Sequence, residues 1–189
     1  MRKFGFAMLE TPTNIEIKNC KILHQRAGIF VGGSNNVHID DNNFSDNYDD
    51  TDKNRFGIFL GPPPDGGDLR LDTVHGGLVE SNAANNEAIG IDIRDSDSIV
   101  VRNNTASGNS AWGISLLNTS HSQASNNTVR DNSVAGDHLS NSVQNRLTNN
   151  TFANNGKNLR VEGKSDGNVV AGIHMISTEF NPLAMVLSQ

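Results

Sequence analysis

An Asn-bearing tetrapeptide returns along this chain at a nearly constant interval, and few folds are open to a chain built that way. It reads Ile17-Lys18-Asn19-Cys20, Ile39-Asp40-Asp41-Asn42, Val79-Glu80-Ser81-Asn82, Val101-Arg102-Asn103-Asn104, Ala124-Ser125-Asn126-Asn127 and Leu147-Thr148-Asn149-Asn150. The last residues of these groups stand 22, 40, 22, 23 and 23 positions apart, and the 40 is one unit plus about 18 inserted residues. Two positions later each unit has an apolar or small residue: Ile22, Phe44, Ala84, Ala106, Val129 and Phe152. Farther on comes Gly with apolar alternation, as in Gly28-Ile29-Phe30-Val31, Gly57-Ile58-Phe59-Leu60, Gly90-Ile91-Asp92-Ile93 and Gly113-Ile114-Ser115-Leu116. Gly5-Phe6-Ala7-Met8 and Asn158-Leu159-Arg160-Val161 fill the same slot toward the two ends.

A unit this short cannot bury an apolar face alone, so neighbouring units must stack and bury it together. Period-2 alternation sends Ile17, Ile39, Val79, Val101, Ala124 and Leu147 to one side, and stacking at ~4.8 Å lays like over like. The Asn positions close tight turns where left-handed backbone is cheap, and their amides can bond along the stack. Cys20 heads that column as a small buried turn residue rather than a reactive thiol. The expectation is an all-β, right-handed parallel β-helix of about seven coils of 22–23 residues over 1–177, with a capping tail at 178–189. Two insertions, Asp46 to Asn54 and Gly61 to Gly77, carry acidic residues or Pro and Gly, and should project as loops. The chain starts in mid-coil at Gly5-Phe6, which suggests a longer parent chain or a homo-oligomer that covers the open end.

Composition narrows the partners. The net charge of −6, spread along the chain, argues against nucleic acid, which needs a basic face. No apolar stretch approaches the ~20 residues of a membrane span. A single cysteine forbids an internal disulfide, and the N-terminus is too short in its apolar run to be a signal peptide. The Asn-Xaa-Thr sequons follow from the turn ladder and are poor evidence for glycosylation.

In such a stack chemistry belongs to outward positions. On the Gly-apolar strand the first outward column reads Ala7, Phe30, Phe59, Asp92, Ser115, His138 and Arg160, and the second Leu9, Gly32, Gly61, Arg94, Leu117, Ser140 and Glu162. Asp92 and Arg94, with His138, form the candidate catalytic group. Phe59, Ser115, Arg160 and Trp112 are candidate substrate contacts, since rings stack on sugars and Arg pairs with carboxylates. Plainer readings stand beside these: a solvated Asp92–Arg94 ion pair, a surface His138, and Trp112 packed at a turn. Asp137 falls on an inward slot, where a local bulge is the expectation. The loop residues Asp46, Asp49, Asp50 and Asp52 offer oxygen ligands for Ca²⁺, without the Gly and terminal Glu of the helix-loop-helix calcium motif.

Over residues 5–177 the chain resembles the pectin-lyase-like β-helix superfamily, which includes polysaccharide lyases, polygalacturonases, mannuronan C5-epimerases and phage tailspikes. The epimerases carry a Gly-apolar-Asp-Pro-His strand whose Asp and His are catalytic. Gly90-Ile91-Asp92-Ile93-Arg94 matches its Gly and Asp, with Ile for Pro and Arg for His. The paired Asp and Gly-His-Gly of polygalacturonases are not found, and Asp137-His138 is a partial echo. The resemblance implies a secreted or surface protein acting on a uronic-acid polysaccharide, with no required cofactor. It further implies proton abstraction at sugar C5, as in a lyase or epimerase. A non-catalytic glycan-binding or adhesive module, and a trimeric fibre stalk, are the rival expectations.

Overall fold

In the computed structural model, which describes residues 4–8, 12–25, 27–47, 55–62, 73–176 and 185–186, strands of two to six residues alternate with tight turns. Among these residues there is no helix. The strands form three parallel sheets. The first contains Phe4–Met8, Ala27–Val31, Phe56–Leu60, Ile89–Arg94, Trp112–Leu117, Ala135–Ser140, Leu159–Glu162 and Met185–Val186. A seven-stranded second sheet runs from Thr13–Lys18 to Val169–Ala171, and a four-stranded third from Thr105–Ser107 to His174–Ile176. Every strand pairs with its counterparts one coil away, so the chain is a right-handed β-solenoid of about seven turns.

The register follows the sequence columns. Ile17, Ile39, Val79, Val101, Ala124 and Leu147 lie on successive rungs of the second sheet. They face Ile29, Ile58, Ile91 and Ile114 of the first sheet and Ala106, Val129 and Phe152 of the third in one continuous core. The turn positions divide their labour. Asn19, Asp41, Ser81, Asn103, Asn126 and Asn149 take left-handed backbone, with φ of 52–57°. The next residue in each turn points inward and builds the ladder. Asn104 Nδ2 donates to Val79 O at 2.9 Å and to Asn127 Oδ1 at 3.1 Å. Its Oδ1 accepts from Asn82 N at 2.9 Å and Asn82 Nδ2 at 3.1 Å. Cys20, half-buried, heads the column and donates its backbone N–H to Asn42.

Three expectations need correction. The first insertion begins after Asn47, because Asn47 is buried and Gln25 N–H donates to its Oδ1 in a second ladder. The second ends earlier than Gly77, because His75–Glu80 is already a strand. Residues 48–54 and 63–72 lie outside the described set, as does most of the expected cap; its Met185–Val186 pairs with Leu159–Arg160. Finally, no bulge lifts Asp137 out of the stack. It sits in register between Ile114 and Leu159 and is 1% exposed.

Asp137 is therefore a carboxyl in an apolar column. Asn150 Nδ2 lies 3.4 Å from its Oδ2, and Oδ1 has no partner. Burial pushes its pKa up to about 8. Glu87 holds a ladder position that is Asn in other coils; its Oε1 accepts from Asn47 N, its Oε2 is unpartnered, and burial raises it to about 8 as well. A carboxyl favoured in its protonated form stabilises the fold fully below its unfolded pKa, and that contribution is lost as pH rises through the folded value.

Two outcomes are expected in denaturant titrations. Asn104→Ala leaves Val79 O and Asn82 N unmet and should cost about 2–4 kcal/mol. Unfolding free energy of the parent chain should fall between about pH 4 and pH 8 by roughly several kcal/mol. Asp137→Asn should remove a substantial part of that slope, with Glu87 and Asp92 contributing to the rest; an unchanged slope would show that Asp137 does not hold its proton.

Candidate functional site

The outward residues of the first sheet should face water, yet part of that face is buried. Phe30, Phe56, Phe59, Ala88 and Ile89 form a second apolar cluster there, with Ala111 and Trp112 packed against it. The first outward column runs in the expected register: Phe30 on Phe59, Phe59 on Asp92, Asp92 on Ser115, Ser115 on His138 and His138 on Arg160. Trp112 lies between Ile89 and Ala135. All seven candidate catalytic and substrate-contact residues thus share one face.

Asp92 and Arg94 are two apart on one strand, so their side chains leave on the same side. They are not a solvated pair. Asp92 is 0% exposed, and Arg94 closes on it with Nε and Nη2 both 2.7 Å from Oδ2. The guanidinium carbon also lies 5.5 Å from the Phe56 ring centre and 5.4 Å from that of Phe59, within cation–π range. Asp92 Oδ1 is buried without a partner. Burial pushes its carboxyl above the ordinary range, against the pull of Arg94 and the Ser115 hydroxyl.

His138 is 4% exposed, not a surface histidine. Its ring stacks on Trp112 with centroids 4.3 Å apart and planes 21° apart. Nε2 meets Glu162 Oε1 at 2.9 Å, while Nδ1 is buried without a partner. Burial lowers its proton affinity, and the Glu162 hydrogen bond opposes that shift. Arg160 completes the group with Nε 2.8 Å from Glu162 Oε2. Trp112 Nε1 is a third buried, unpartnered polar atom on this face. Glu162 was visible in the second outward column, but only the rung spacing and side-chain reach bring it to His138.

The expected Ca²⁺ loop gives little. Asp49, Asp50 and Asp52 lie outside the described residues, and Asp46 Oδ1 accepts from Asn86 Nδ2 at 2.8 Å as a turn rung. A different cluster, missed in the sequence, lies on the second sheet. His38, Asp40 and Glu80 bring their ligand atoms within 4.8 Å of one another. Glu80 is already met by His38 Nε2 at 3.2 Å and Arg102 Nε at 2.7 Å, which reads as a surface ion-pair group.

No curated protein matches the chain. Among solved structures, the periplasmic alginate epimerase AlgG is similar, with a TM-score of 0.74 and 17% identity over 92% of this chain and 47% of that one. A single mutant of the same epimerase gives a TM-score of 0.53 and 13% identity over 88% of this chain and 51% of that one. The chain thus spans about half the length of the epimerase structures it matches, and at these identities the likeness is one of fold. The right-handed beta helix region family matches residues 5–181, nearly the whole sequence, and the chain belongs to that family.

Proposed function

We propose that this chain binds and processes a uronic-acid polysaccharide along the outer face of the first sheet, by proton transfer at sugar C5. The observation that carries the reading is the pairing of Asp92 and His138 on one column, each with a buried polar atom left unpartnered. Two strand spacings separate them, about 9.5 Å between backbones, enough to flank a sugar ring. Burial favours a neutral imidazole on His138, with a lone pair able to take the C5 proton. It also favours the protonated form of Asp92, so that group can return a proton on the other side.

Arg94 links recognition to this chemistry. A uronate carboxylate competes with Asp92 for the guanidinium, and its neutralisation there makes the neighbouring C–H more acidic. Losing Arg94 removes the main restraint on the Asp92 carboxyl, which then keeps its proton more firmly. The polymer reaches these groups only when the shielded face opens. A sugar-polymer substrate accords with the periplasmic epimerase among the structural neighbours, and with an exported location.

A second reading, a non-catalytic glycan-binding module, is favoured by one feature. An open polar trough of about 450 Å³ follows the turn column between the second and third sheets, with Asn19, Lys21, Asp41, Ser81 and Asn103 along it. It needs no opening to receive a chain of sugars.

Proton NMR time courses on alginate and polygalacturonate, each with and without Ca²⁺, separate the readings. New olefinic signals indicate a lyase, and altered anomeric ratios without cleavage an epimerase. Asp92→Ala should abolish either change, by on the order of 100-fold or more. Unchanged spectra with both polymers, together with binding that survives Asp92→Ala, would establish the binding module instead.

A further inference from the structure

The geometry points to Glu162 as the positioning residue that makes His138 Nδ1 the base of this face, an inference that rests on the function just proposed. A carboxylate only accepts hydrogen bonds, so the 2.9 Å contact between Glu162 Oε1 and His138 Nε2 places the imidazole hydrogen on Nε2. The lone pair then resides on Nδ1, the buried atom that has no partner. Without that contact no partner fixes the tautomer of the neutral imidazole, and part of its population would present an N–H where a base is needed.

Two further contacts and one strand placement make the arrangement specific. Arg160 Nε and Nη2 lie 2.8 and 2.7 Å from Glu162 Oε2, which holds the carboxylate ionised and leaves Oε1 to the histidine. Trp112 lies flat against the imidazole, so the ring cannot tilt away from Glu162 without losing its stacking. Arg160 and Glu162 leave the same strand on the same side, one rung beyond His138 and Ser140. The second outward column therefore supplies the group that orients the first. Arg160 acts through this contact, as a clamp on Glu162 rather than as a contact to the sugar.

The test uses the full chain with nitrogen-labelled histidine. In the parent, His138 should show a pyrrole-type Nε2 and a pyridine-type Nδ1. In Glu162→Leu, which offers no acceptor, those signals should move toward tautomer averaging, and the titration midpoint of His138 should fall, because the carboxylate raises it. With alginate or polygalacturonate, kcat should drop on the order of 100-fold with KM little changed, and Glu162→Asp should restore part of the loss. Parent spectra showing Nδ1–H, or a Glu162→Leu variant with unaltered His138 signals, would overturn the inference. So would a Glu162→Leu variant with parental kcat. A parent chain inert toward both polymers would instead remove the proposed function, and it would do so before any Glu162 variant is made.

Discussion

The stack depends on hydrogen bonds made at its corners by side chains that never leave the interior. Among the described residues a coil of 22–23 residues has no hairpin partner and no helix, so its strands bond only to the coils above and below. Where strands end, backbone N–H groups would be buried unmet, at a cost of several kcal/mol across a turn. The inward amides of Asn42, Asn82, Asn104, Asn127 and Asn150 remove that cost, each accepting from the preceding rung's backbone and donating to a carbonyl farther back. Hydroxyls do the same at another corner, where Ser142 Oγ accepts from Thr119 N and donates to Leu116 O. Such ladders tie each coil to its neighbours and to nothing else, which is why a 40-residue interval is tolerated between Asn42 and Asn82.

With cohesion confined to corners and core, the outer faces of the sheets are free to vary, and the first sheet uses that freedom for aromatic and ionic groups. Asp92 carries a desolvation penalty that Arg94 opposes but does not cancel, at 2.7 Å and while resting near two phenylalanine rings. A buried pair of this kind is costly to break by removing one partner.

The columns could be read from the sequence because two periods act together. Strand alternation fixes which side chains point outward, and coil length fixes which of them stack, so Phe59, Asp92, Ser115, His138 and Arg160 fall in line without knowledge of the coordinates. Burial of that line was not legible: alternation separates inside from outside but says nothing of what covers the outside. The start of the first insertion was misplaced because Asp46 and Asn47 look like the acidic run that follows them, while Asn47 is a ladder rung. Glu87 escaped notice because the second ladder has a carboxyl where its other described members have amides. The His138–Glu162 contact escaped because it is diagonal, joining adjacent rungs of two different columns.

Asp137 shows how far the inside and outside of this stack are linked. It adjoins His138 in sequence, and alternation sends the two side chains to opposite sides of the same strand. An ionised Asp137 would place a negative charge behind the imidazole and raise its proton affinity through the thickness of one sheet. Burial instead holds Asp137 protonated up to about pH 8, so the charges that act on His138 are those of the outer face: Glu162, Arg160 and Asp92. A rung that weakens the core in alkaline conditions thus keeps the field at the neighbouring histidine simple. The same burial that makes Asp137 a poor core residue leaves Glu162 as the main group opposing the desolvation of His138.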